Sequence, residues 1–158
     1  MALVTGRWDE LQALFHELTP GEMERPLGDG WSAKVHLGHL AAWERSLMAL
    51  LRGEDREAAM GLPADLASGH DTDDVNQLVA RRTAALALSD VLRDSAHVHV
   101  ELVALLESLS ESDFLRPYSD YQPQVLPVEP RPVFAWVNGN TWAHYEEHIA
   151  WLRAGLEL

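Results

Sequence analysis

No stretch of this chain sustains the period-two alternation of a half-buried β-strand, whereas four stretches repeat apolar residues at spacings of three and four. The first covers residues 2–18, with Leu3, Trp8, Leu11, Leu14, Phe15 and Leu18 on one side and Thr19-Pro20-Gly21 as its stop. The second follows Gly28-Asp29-Gly30 and opens at Ser32 as N-cap. It carries Leu40, Trp43, Leu47, Leu50 and Leu51 on its apolar stripe and ends at Gly53. The third runs over 72–109; Ser89-Asp90 reads there as a fresh N-cap, so two helices or one kinked helix both fit. The last starts near Val133 and runs to Arg153 or Ala154, with Gly155 as the stop. The expected fold class is all-α, a four-helix bundle. Its long connections, 53–71 and 110–132, allow a crossover topology. Five of the eight prolines lie between Pro117 and Pro132, which predicts an extended loop there because proline lacks an N–H and biases its predecessor away from helix.

Composition narrows the chemistry. At 158 residues the chain is read as one domain, 1–158, large enough to need no staple. The absence of cysteine excludes a disulfide scaffold, a thiolate zinc site, an iron–sulfur cluster and a cysteine nucleophile. Eight histidines remain, so a tightly held transition metal would have to use imidazole or carboxylate. The net charge of −13 argues against nucleic acid as a partner, since phosphate neutralisation needs the opposite sign. Much of that acid falls in 54–113, with 13 acidic and 4 basic side chains, and reads as solvated helix surface. No segment resembles a signal peptide or a membrane span, so the expectation is a cytoplasmic protein without a membrane partner.

The strongest local signal is His144-Tyr145-Glu146-Glu147-His148. Residues four apart on a helix are roughly 6 Å apart along the axis and about 40° around it, so two imidazoles can face one ion. Val137, Thr141, His144, His148 and Leu152 share a stripe opposite Ala143, Glu146, Ala150 and Arg153, which points both histidines inward. A third ligand would come from the second helix, where His36 and His39 both fall on apolar faces and periodicity does not choose between them. Gly38 between them would let a neighbouring helix or a bound group approach closely. The string also spells the inverted zinc-protease motif, but only ten residues follow it, too few for that fold. A di-iron bundle needs a glutamate three residues before a histidine, and none stands there. No phosphate-binding glycine loop or serine-nucleophile motif occurs.

Of the other histidines, His97 and His99 are two apart, so at most one faces inward, while His16 and His70 read as surface or capping residues. Trp8, Trp43, Trp136 and Trp151 fit core positions. Trp43 and Trp142 could equally wall a pocket over the metal, together with Asn138 and Asn140.

The stretch W-S-A-K-V-H-L-G-H-L-A-A-W-E (31–44) resembles the second-helix signature of the DinB-like superfamily. N-T-W-A-H-Y-E-E-H (140–148) resembles its C-terminal H-x-x-x-H helix. Residues 73–82 and 109–117 are similar to connecting helices of the ClbS/DfsB-type branch, which is related to the metal-binding domain of mycothiol-dependent maleylpyruvate isomerase. The resemblance implies a DinB/YfiT-like four-helix bundle of metalloenzyme type, often a homodimer, holding one divalent cation, typically nickel or zinc. Carried over by position, the metal ligands are His39, His144 and His148. It also implies a metal-dependent enzyme on a small-molecule substrate, of the thiol-dependent transferase or isomerase class or the hydrolase class, with a low-molecular-weight thiol as a further cofactor. Glu147 and Tyr145 are then the candidate proton-transfer groups, with Trp43, Asn138 and Trp142 lining the pocket. The alternative is a metal-free ligand-binding or sequestering bundle with no catalysis, whose inward histidines are hydrogen-bonded remnants.

Overall fold

The computed structural model describes residues 1–28, 30–62 and 71–157. Among them every regular element is helical: α1 (Ala2–His16), α2 (Pro20–Glu24), α3 (Ala33–Arg52), α4 (Arg56–Ala59), α5 (Thr72–Ala84), α6 (Leu88–Ser108), α7 (Glu111–Leu115), α8 (Tyr118–Tyr121), α9 (Phe134–Asn140) and α10 (Trp142–Leu156). The all-α bundle therefore stands, built on α1, α3, α6 and α10 with shorter helices in its connections. No helix among the described residues is long and apolar enough to cross a membrane.

The central element is α3. Ser32 accepts from the Val35 N–H to start it, and Gly53 in the left-handed region (φ 71°) ends it, as the sequence implies. Sixteen of its twenty residues are buried, because it packs against α6 and α5 on different sides. One core cluster joins α1 (Trp8, Leu11), α3 (Leu37, Leu40), α6 (Val91) and α10 (Ile149, Leu152). A second joins the C-terminal half of α3 (Leu47, Leu50) to α6 (Val98, Leu102) and Val137 of α9. Each fully buried leucine of these clusters contributes about 1.5–3 kcal/mol relative to exposure. Gly38 serves the packing of α5 on α3: a Cβ there would collide with the Thr83 side chain. The close approach is by a neighbouring helix, not by a bound group.

Four boundaries differ from the sequence reading. The helix 2–18 ends at His16, and Thr19 instead caps α2 in a capping box with Glu22. The 72–109 stretch is two helices, but the second starts after Ala87 and not at Ser89-Asp90, which lie inside its first turn. The last helix breaks at Thr141 (φ −127°, ψ −113°), a fully buried residue whose hydroxyl donates back to the Val137 carbonyl at 2.6 Å. Finally, Gly155 is not the stop. It lies inside α10 where a Cβ would come within 2.9 Å of Leu27 Cβ, and the helix ends at Glu157 in the left-handed region. The proline-rich segment also holds the one-turn α8, and Pro117 and Pro132 at the two ends of the segment are joined by an isolated bridge.

Candidate metal centre

The break at Thr141 begins a new helix whose first turns carry His144 and His148, and the early turns of α3 carry His36 and His39 across from them. His39 Nε2 and His144 Nε2 stand 3.2 Å apart. His36 Nδ1 and His148 Nδ1 stand 2.9 Å apart. His39, His144 and His148 each offer a ligand nitrogen within 4.8 Å of the others, a group that His36 does not join among the described residues. Nitrogens bonded to one ion at about 2.0–2.1 Å in tetrahedral array lie roughly 3.3 Å from one another, so the His39–His144 separation suits a shared ion.

Burial sets the protonation. His39 and His148 are buried and His144 is partly so. Loss of solvent, and then the neighbouring His144 and His36 rings, lower His39 to about 2. Burial lowers His144 to about 4. His148 is pushed furthest down, again by burial first and then by His144, His39 and His36. All three rings are therefore neutral at physiological pH, the form in which imidazole ligates metal. Buried His148 Nε2 has no hydrogen-bond partner, and neither do the Nδ1 atoms of His39 and His144, the outer nitrogens of two rings whose Nε2 atoms face each other. A donor set of three neutral imidazoles with unsatisfied nitrogen fits a divalent transition metal.

The depressed values have a consequence for the metal-free protein. Each ring stays neutral when folded, while the unfolded chain takes up a proton below about pH 6.5. Stability is thus full above that pH and falls as pH drops, by about 1.4 kcal/mol per unit per ring until the folded pKa is reached. By pH 5 the loss is of the order of 2 kcal/mol each for His39 and His144. Melting of metal-free protein is expected to shift sharply downward between pH 7 and pH 5; a flat profile would contradict neutral buried rings.

Above the histidines lies an open pocket of about 1110 Å³. Indole rings stand beside the imidazoles on several sides: Trp31 is 5.0 Å from His39, Trp43 is 6.4 Å from His144 and Trp151 is 4.9 Å from His148. Trp43 is held by its Nε1–H donating to Asn76 Oδ1 at 3.1 Å. Glu147 lines the pocket and is exposed, whereas Arg131 on the wall is tied to Glu129 at 2.6 Å and lies over the Trp136 ring.

The remaining candidates divide. Trp142 packs into both core clusters instead of lining the pocket, Asn138 is also outside its lining, and Asn140 is on it. Tyr145 points away from the metal centre. It is fully buried, and its hydroxyl donates to Glu44 Oε1, which also takes His99 Nδ1 at 3.0 Å. Burial raises both Glu44 and Tyr145 above their ordinary values. His99 also stacks on Trp8 with ring centres 3.9 Å apart. Sequence reasoning missed this cluster, although a glutamate set between Leu40 and Leu47 on an apolar stripe was its signal. Trp31, read only as the first residue of the 31–44 signature, also belongs to the pocket, and Trp151, expected in the core, is 51% exposed. His97 and His16 are at the surface as expected, and His70 lies outside the described residues.

A family model of the DinB superfamily matches residues 3–148, a span that includes all three proposed ligands. The chain belongs to the DinB superfamily. This DinB-superfamily chain is also similar to the crystal structure of an uncharacterised protein from Clostridium difficile 630. The TM-score is 0.74 at 13% identity, over 99% of this chain and 93% of that one, a likeness of fold. No curated protein matches it.

Proposed function

We propose that this protein is a metal-dependent enzyme acting on a small molecule, of the thiol-dependent transferase or isomerase class or the hydrolase class. His39, His144 and His148 would hold one divalent ion, zinc or nickel. The observation that carries the reading is the convergence of three neutral imidazoles, from two helices, at the floor of an open pocket. A bound ion would supply Lewis acidity toward a thiol or a carbonyl. The chain's own residues supply the rest. Trp31, Trp43 and Trp151 exclude water and hold the apolar body of a ligand. Glu147 is the carboxylate placed to take or return a proton at the pocket wall. Tyr145, committed to Glu44, is left to the core. With Arg131 neutralised by Glu129 and Asp73 and Glu147 on the wall, the pocket favours substrates that are not polyanionic. We further propose a cytoplasmic homodimer of single-domain chains.

A second reading has its own observation. The nitrogen pairs at 2.9 and 3.2 Å could hydrogen-bond, which would pair one nitrogen of each ring in a metal-free binding bundle. Cobalt(II) substitution separates the two. The enzyme reading expects a visible spectrum from cobalt-loaded protein and a new sulfur-to-cobalt charge-transfer band on adding thiophenol, with quenching of indole fluorescence. A cobalt spectrum indifferent to thiophenol would indicate a closed structural site, and no spectrum at all would favour the metal-free bundle.

A further inference from the structure

His36 and His148 meet through their Nδ1 atoms at 2.9 Å, and neither ring is exposed. Between two neutral imidazoles one nitrogen must donate and the other accept. The Nδ1 of His148 is occupied by His36, so the nitrogen it can offer an ion is Nε2, which is buried and has no hydrogen-bond partner. A lone pair on Nε2 requires the proton on Nδ1, and that proton then lies on the line to His36 Nδ1. His36 is well held for this task. It sits in the first turn of α3 behind the Ser32 cap, with Trp31 5.4 Å away on one side and Trp151 6.3 Å away on another. The corresponding outer nitrogens of His39 and His144, their Nδ1 atoms, make no hydrogen bond.

We propose that His36 is a positioning residue: it accepts the Nδ1–H of His148 and so holds that ring in the tautomer and orientation whose Nε2 lone pair faces the ion. This rests on the three-histidine reading above. An imidazole here takes the place usually filled by a carboxylate or a backbone carbonyl behind a metal-bound histidine. The pair also explains why two inward histidines occur three apart on α3. One binds the ion and the other orients a ligand from the facing helix.

The test is zinc affinity, measured by competition with a chelating dye, for wild type, His36→Leu and His36→Asn, together with nitrogen-15 NMR of the zinc-loaded wild type. His36→Leu is expected to lose roughly 10–100-fold in affinity, the usual cost of removing such a partner. His36→Asn recovers part of it, because its amide oxygen stands near the lost Nδ1 and accepts the same proton. The NMR spectrum should place the proton of His148 on Nδ1 and that of His36 on Nε2. Unchanged affinity in His36→Leu, with zinc bound by wild type, overturns the positioning role and leaves the three-histidine site standing. A metal-bound shift on a His36 nitrogen overturns it too, by making His36 a ligand. Failure of wild type to take up zinc overturns both readings. If His36→Leu does not fold, as judged by melting of the metal-free variants, His36→Asn and the wild-type tautomers decide.

Discussion

His148→Ala abolishes the stabilisation that zinc or nickel gives the wild-type protein. A ligand bound only by the native state at one hundred times its dissociation constant adds about 2.7 kcal/mol. For a chain of this size that corresponds to a rise in melting temperature of roughly 5–11 °C. His148 has the largest leverage because it is the fully buried ligand and neighbours both other members of the group, with ring centres 5.0 Å from His39 and 4.7 Å from His144. Its removal leaves two ligands and an open cavity where the third nitrogen stood. His144→Ala should also lose the metal response, while His97→Ala should keep it, since His97 is exposed and faces Glu101 on its own helix. A metal-induced rise that survives His148→Ala, measured by scanning calorimetry, would contradict the assignment.

Glu44→Ala is expected to be the most destabilising single change away from the metal centre, by about 3–5 kcal/mol. Glu44 is fully buried, and its Oε1 accepts from Tyr145 while meeting His99 Nδ1 at 3.0 Å, which ties α3 to α10 and α6. Truncation leaves the Tyr145 hydroxyl and His99 Nδ1 with only each other, at 3.5 Å, a weak replacement for two bonds to a carboxylate that costs about 1–3 kcal/mol, and it adds a cavity. Tyr145→Phe removes one bond and should cost less, about 1–2 kcal/mol. Urea denaturation of the metal-free proteins measures both. A loss below 1 kcal/mol for Glu44→Ala would show that the cluster contributes little. Because Glu44 does not touch the three ligands, its variant should retain metal wherever it remains folded.

These expectations draw unequally on sequence and structure. The span of α3 was legible because Ser32 and Gly53 have local jobs, a side-chain cap and a left-handed turn, that need no tertiary partner. The break at Thr141 was not, because it depends on a buried hydroxyl bonding to a carbonyl one turn back, and threonine otherwise fits a helical stripe. Gly155 misled for the opposite reason: it answers to the approach of Leu27, a contact with no trace in local pattern. The histidine pair on α10 was legible from spacing alone. Choosing His39 over His36 needed the family resemblance at first, and then the geometry, because both rings face inward and differ in whether they join the three-nitrogen group or pair with His148 Nδ1. Trp31 carried the resemblance but no pocket position, because it precedes the N-cap and belongs to no periodic face. Tyr145 was misplaced because adjacency to His144 along the chain turns it about 100° around the helix axis, into the core.

The central claim is that three histidines hold one ion, and elemental analysis of protein purified without a histidine tag tests it most directly. After equilibration with zinc or nickel and removal of the excess, the account predicts close to one divalent ion per wild-type chain and almost none in His148→Ala. Sub-stoichiometric metal in the wild type, or a content that His148→Ala leaves unchanged, would contradict it.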